Sequence, residues 1–190
     1  ASTVPTPTAP VGDSADVGAV AMVRGREVAA RTFGILSSNL QHAIKTTGIT
    51  NALPFCSVLA DPLTRQVAAE AQADVRRVTH RARNPKNQAD TNEVGILDGF
   101  RAQLLAGTGP VSPLLRTNPP DTVTFYAPIV ITNALCLNCH GVPGTDIDAA
   151  SMAVIQKLYP QDEATGFKLG ELRGMWRIDF AQTNLVAGRP

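Results

Sequence analysis

An α+β fold with a small antiparallel sheet is what this 190-residue sequence predicts, on three observations. Apolar residues recur at helical spacing through the first half, two segments of the second half alternate at the β period, and a helical stretch lies between those two segments. Helices gathered ahead of the strands, with strands close enough to pair tightly near the C-terminus, predict a long N-terminal helix and flanking helices around one sheet. With 44% apolar residues, 17% charged residues and a net charge of +1, the composition is that of one globular domain, expected over residues 13–190. The basic excess of a nucleic-acid binder is absent, which removes nucleic acid from the expected partners.

Taken in order, residues 1–12, ASTVPTPTAPVG, read as a flexible Pro/Thr/Ala-rich leader of the kind left when a signal or lipid anchor is removed. A periplasmic or other extracytoplasmic location is compatible with that leader, and no run approaches the roughly 18 apolar residues of a membrane span. Next, Val20, Val23, Val28, Phe33, Leu36, Leu40 and Ile44 fall on one face of a helix of about thirty residues. Asp13 or Ser14 is placed to cap it, Gly48 to end it, and Gly25 and Gly34 mark bends or close packing. ITNALPFCSVLADP, interrupted by Pro54 and Pro62, reads as a loop and a short helix. Asp61-Pro62 then reads as an N-cap with proline at the first helical position, opening the Ala-rich helix LTRQVAAEAQADV. From Arg76 the period changes, with Val78, His80 and Ala82 alternating against Arg77, Thr79 and Arg81, so a short strand is expected until Asn84-Pro85 stops it. Val94, Leu97, Phe100 and Leu104 return to helical spacing, with Gly107 beyond the end, and a Pro/Gly/Ser-rich loop runs from Gly107 to Asp121. TVTFYAPIVI and LRGMWRIDF alternate as strands, and DAASMAVIQKLY between them is a helix ended by Pro160.

Chemistry concentrates in CLNCHG, Cys136 to Gly141. CxxCH is the attachment signature of c-type haem. Two thiols three positions apart can form thioethers to both vinyl groups of one porphyrin, and the next residue, His140, reaches the iron as its proximal ligand. A zinc site and a redox CxxC compete with this reading. Zinc wants four ligands and there is no second cysteine pair, while a thioredoxin-like motif expects a strand before it and a helix directly after it. The chain has three cysteines, so a disulfide framework cannot use them all, and Cys56 is left over.

With His140 on one side of an iron, six residues are candidates for the other: Cys56, His42, His80, Met22, Met152 and Met175. The methionines read rather as fillers of core gaps, His42 as a surface residue of its helix, and Cys56 equally as a buried thiol. His80 can face core, ligand or solvent. A methionine would raise the potential, whereas a thiolate donates electron density to ferric iron and lowers it. Residue types alone leave the choice open.

Three segments in order, RARNPKN (Arg81–Asn87) followed by Glu93, CLNCHG, and YPQDEATGFKLGELRGMW (Tyr159–Trp176), resemble a family of periplasmic c-type haem proteins and sensor domains with a PAS-like fold, long known as a domain of unknown function. The resemblance covers nearly the whole chain after the leader. It implies one covalent haem c against a PAS-like antiparallel sheet, iron held by His140, and a cysteine shortly after the long helix, here Cys56, as the second axial ligand. Where the family commonly has Arg-Thr-Ser, this chain has Arg77-Val78-Thr79, which removes a hydroxyl at position 78, and Asn92 replaces an aromatic residue before Glu93. Arg77 and Arg83 remain as partners for the haem propionates, since a planar guanidinium matches a carboxylate in bidentate fashion. Glu93 is expected as a helix-surface residue or as a partner of one of those arginines.

Two functions are expected from this set. One is a redox or small-gas sensor in which the Cys56 bond breaks on reduction or when nitric oxide or carbon monoxide binds, with a partner protein reading the change. The other is a single-haem periplasmic electron-transfer cytochrome. Enzymatic chemistry is not expected, because a filled sixth position blocks substrate and no cluster of acids and bases surrounds the motif. Long N-terminal helices of PAS-like domains pair between chains, so the sequence allows a homodimer.

Overall fold

A computed structural model describes residues 14–118 and 120–186, apart from the side chains of residues 14, 15, 55 and 56. The expected leader over 1–12 and the Asp13 cap lie outside the described residues. Helix α1 spans Ser14–Thr47, and the chain turns at Gly48, whose φ of 82° suits a residue without a Cβ. Helix α2 spans Ile49–Glu70, strand β1 Ala73–Val78 and helix α3 Thr91–Ala106. Strands β2 (Leu114–Asn118) and β3 (Thr122–Val130) follow. Then come helix α4 (Leu137–His140), helix α5 (Ala149–Leu158), strand β4 (Leu172–Ala181) and the short helix α6 (Gln182–Val186). The four strands form one antiparallel sheet in the order β1-β4-β3-β2, so the α+β class with a small antiparallel sheet, a long N-terminal helix and flanking helices is observed.

Both faces of the sheet are covered, and the alternation along β3 and β4 sends apolar residues to each face. On one face Val75, Val123, Phe125, Ala127, Trp176, Ile178 and Phe180 meet Ala21, Val28 and Ala29 of α1 and Val67 of α2. On the other, Val78, Tyr126 and Met175 meet Ile96, Leu97 and Phe100 of α3. The contact face of α1 is made of smaller residues than the spacing predicts, because α1 lies very close to the sheet. A Cβ on Gly25 would stand 2.3 Å from the Phe125 ring, so Gly25 is a close-packing position. Val23 and Phe33, expected on the buried face, are 57% and 54% exposed.

Three expectations are corrected. Instead of a loop, a short helix and a new start at Asp61, residues 49–70 form one helix that contains both Pro54 and Pro62. Each proline removes a donor and crowds the preceding turn, at a cost of about 3 kcal/mol in a helix interior. Burial of Ala52, Leu53 and Val67, where α2 packs on α1, β1 and α5, offsets that cost. Strand β1 starts and ends earlier than the alternation suggests, because beyond Val78 the backbone of Thr79 turns away to Asn87 and Ala89, donating at 3.0 Å and accepting at 3.0 Å. His80 and Ala82 therefore lie outside the strand. Strand β2 occupies part of the expected loop between Gly107 and Asp121.

Glu93 is likewise not on the surface. As the third residue of α3 it closes a capping box with Asp90, and at 2% exposure its carboxylate accepts from Arg177 at 2.9 Å rather than from Arg77 or Arg83. Arg177 also binds Asp179 at 2.9 Å, and Thr124 donates to Asp179 at 2.5 Å, which completes a polar network under α3.

Candidate functional site

Strands β3 and β4 are neighbours in the sheet, yet residues 131–171 separate them in sequence, and that excursion carries the CxxCH motif. Its base is clamped at Ile131, which donates to the Glu171 carbonyl at 2.9 Å and accepts from the Gly170 N–H at 2.8 Å. Asn133 then accepts the Leu135 N–H at 2.8 Å and caps a single 3₁₀ turn, Ala134–Cys136, that runs directly into α4. Cys136 and Cys139 are thus held three positions apart on helical backbone, the spacing that brings two side chains to one face. They form no disulfide with each other. Each is half-buried against a different apolar cluster: Cys136 against Ile131, Ala164 and Phe167, and Cys139 against Leu53 of α2 with Ile147 and Ile155.

His140 ends the turn. Its Nδ1–H donates to the Ala164 carbonyl at 2.8 Å, which fixes the tautomer and leaves the Nε2 lone pair available to a metal. Desolvation by the surrounding protein, followed by the positive charges of Arg173 and Arg83, holds its imidazole well below the ordinary histidine value, so the ring is neutral at physiological pH. Phe167 meets the ring edge-on at 6.3 Å between centroids. The backbone is pinned as firmly as the side chain: the His140 carbonyl accepts from Phe167 at 2.8 Å and the Gly141 carbonyl accepts from Gly166 at 2.6 Å. Gly141 is required by the next turn, because a Cβ there would come within 2.5 Å of Asp146, whose carboxylate takes the Val142 N–H at 2.7 Å.

Arg83 braces this arrangement from across the chain. Its Nη2 donates to the Cys139 carbonyl at 2.6 Å, and its fork meets Asp162 in two bonds of 3.1 Å. Asp162 in turn accepts the Ala164 N–H at 3.0 Å, next to the carbonyl that orients His140. Arg83 therefore supports the motif's backbone, with a carboxylate of the protein already in its fork. Arg77, on β1, has its guanidinium 3.9 Å from Asp61 of α2 and lies within electrostatic reach of His140.

The remaining candidates scatter. His42 is exposed on α1, and His80 sits 3.4 Å from Asp98 of α3. Met175 is fully buried under α3, Met22 packs between α1 and the sheet, and Met152 packs beside Cys139 in the Ile147–Ile155 cluster. The backbone of Cys56 stands in α2, three residues beyond Leu53, and its side chain lies outside the described ones.

Asp162, Ala164, Phe167 and Arg173 are site residues that reading of the sequence missed. Arg173, on β4, donates from Nη1 to the Thr79 hydroxyl and the Arg81 carbonyl, both at 3.1 Å, and its guanidinium carbon lies 5.3 Å from the Phe167 centroid. Its Nε is closed off from solvent and has no hydrogen-bond partner. Burial, and then the nearby charges of Arg83 and Arg77, push its pKa down to about 9. All four residues lie within Tyr159–Trp176, one of the three segments that carry the family resemblance, but their roles come from contacts with residues 24 to 94 positions earlier, which no local pattern signals.

Chemically, the site offers two thiols on one turn, a neutral imidazole with one nitrogen spare, apolar walls on both sides, and a guanidinium edge without an anion. Among the described residues no three His, Cys, Asp or Glu side chains form a group that could hold a metal ion, so the donor set does not suit structural zinc. It fits a porphyrin joined at Cys136 and Cys139, with iron at His140.

The crystal structure of the cyanobacterial heme-protein Tll0287 superposes on the chain with a TM-score of 0.60 at 24% identity, covering 90% of this chain and 98% of that one, and has the same fold. No curated protein matches the chain. The model of the Tll0287-like family matches residues 12–181, from the start of α1 to the end of β4 and across the whole excursion that builds the site. By the extent of that match, the chain belongs to the Tll0287-like family.

Proposed function

We propose that this chain is a haem protein of the c type, with one haem joined through thioethers to Cys136 and Cys139, His140 as one axial ligand and Cys56 as the other. The observation that carries the reading is the bond from His140 Nδ1 to the Ala164 carbonyl, which presents Nε2 from a turn that also holds both cysteines. Similarity in fold to a cyanobacterial heme-protein supports it. When bound, the haem supplies a one-electron centre and a site for a small ligand. The chain's own residues do the rest. Ala164 orients the imidazole, the Arg83–Asp162 pair holds the Cys139 carbonyl, and Phe167 with Leu137 excludes water from the motif.

Cys56 gives this reading its direction. It stands on α2 three residues beyond Leu53, which packs in the same cluster as Cys139, so the helix that carries the thiol already touches the motif's surroundings. On one-electron reduction, or when nitric oxide or carbon monoxide competes for the position, Cys56 would give up its bond and take a proton. Because α2 packs on α1, β1 and α5, release at that point would be felt along the long N-terminal helix. We therefore favour a redox or small-gas sensor without enzymatic activity, extracytoplasmic and read by a partner protein. A single-haem electron carrier is the second reading, favoured by Cys136, Cys139 and His140 being half-buried rather than enclosed, which leaves a haem edge near the surface.

A pyridine haemochrome spectrum of the denatured protein tests the covalent haem. A c-type spectrum is expected, and it should vanish in the Cys136→Ser/Cys139→Ser variant; a haem that extracts into acid acetone would overturn the assignment. Cys56→Ser should convert a low-spin ferric spectrum to high-spin and raise the potential. Carbon monoxide binding by the ferrous protein supports the sensor, whereas a high potential with no ligand access supports the carrier.

A further inference from the structure

Four arginines gather around the motif, and two of them face a carboxylate. Arg83 holds Asp162, and Arg77 lies beside Asp61. Arg81 donates to the carbonyls of Glu163 and Thr165 and stacks on Phe167 at 4.2 Å. Arg173 differs. Like those of exposed Arg81, its contacts are uncharged, a hydroxyl, a carbonyl and a ring face, but its Nε–H is closed off from solvent and has no acceptor. A buried donor left unpaired carries its full desolvation penalty, and a guanidinium pressed among other guanidiniums adds repulsion. An anion at that edge would relieve both.

We propose that Arg173 receives a haem carboxylate at its Nε edge, so that a propionate is paired from β4 rather than by the fork of Arg83. The assignment rests on the haem reading above. The chain of contacts is short: Arg173 lies over Phe167, and Phe167 meets the His140 ring edge-on. A porphyrin held at His140 therefore has its rim in the neighbourhood of this guanidinium. The Nε edge of an arginine offers two parallel donors with the spacing of a carboxylate, and a bidentate charge-assisted pair is the strongest contact available there. The groups that face Arg173 are Arg77 from β1, Arg81 and Arg83 from the loop after it, Asp162 from the loop after α5, and His140. Of these, Asp162 is the one acid, and Arg83 already occupies it.

The test uses the haem-loaded protein. Wild type, Arg173→Gln and Arg173→Lys are first examined as pyridine haemochromes, then by resonance Raman in the propionate bending region and by redox titration. In Arg173→Gln the bending band should move to the position of an unpaired carboxylate. Loss of a positive charge near the iron favours ferric iron, so at a fixed potential the reduced-to-oxidised ratio should fall about tenfold, or 59 mV for one electron. Arg173→Lys should restore most of the potential, because the charge is back, but not the band, because the fork is gone. If Arg173→Gln does not fold, the band in Arg173→Lys decides alone. A wild type without a haemochrome overturns the haem reading and this assignment with it. Haem present, with band and potential unchanged in the variants, overturns the role of Arg173 and leaves the haem reading standing.

Discussion

Arg83 and Asp162 are a charged pair with side chains 12% and 3% exposed, closed over the carbonyl of Cys139. Removing one partner of such a pair leaves the other charge buried and uncompensated, which costs about 3–5 kcal/mol. Arg83→Met should therefore lower the stability measured by urea unfolding by about that much, and Arg83→Met/Asp162→Asn should recover part of it. Wild-type stability in Arg83→Met would mean that the pair contributes nothing. At this scale the sequence was unevenly informative. Cys136, Cys139 and His140 could be singled out because the CxxCH spacing sets them side by side along the chain. Asp162 and Arg173 were not, because they acquire their roles from residues 79 and 94 positions away.

Helices α1 and α2 show how packing overrides local pattern. Gly25 and Gly34 look alike in the sequence, but a Cβ at Gly25 would enter the Phe125 ring while one at Gly34 would meet nothing within 4 Å. Gly25→Ala should destabilise by about 1–3 kcal/mol through overpacking. Gly34→Ala should stabilise by about 0.5–1 kcal/mol through helix propensity. Thermal unfolding followed by circular dichroism separates the two, and equal shifts would contradict the close approach of α1 to the sheet. Helix α2 was misread for the opposite reason: Pro54 and Pro62 are strong local stop signals, and only contacts with three other elements hold the helix through them. Strand β2 was missed because it is a five-residue edge strand with one neighbour, β3, and an edge that faces water carries little apolar alternation.

Over the whole molecule, the sheet and its two cores are built separately from the site. The largest core joins α1, α2, β1, β3 and β4 without any residue of the CxxCH motif, which packs instead in two small clusters on the excursion between β3 and β4. Loss of the proposed covalent attachment should therefore loosen the excursion and spare the sheet. In Cys136→Ser/Cys139→Ser, amide exchange should quicken between Ile131 and Glu171 while β3 and β4 stay protected. Uniform loss of protection would show that the two halves fold as one unit. The sequence by itself determined the fold class, the long first helix, the two central strands and the identity of the motif, because each rests on periodicity or on neighbours a few residues apart. The tertiary structure decided that 49–70 is one helix, that Glu93 is buried with Arg177, and that Arg83 braces the motif. It also decided that Arg173 is the arginine at the site with a buried, unpaired donor. These outcomes depend on which distant segments share a desolvated space, and that is settled only when the chain closes on itself.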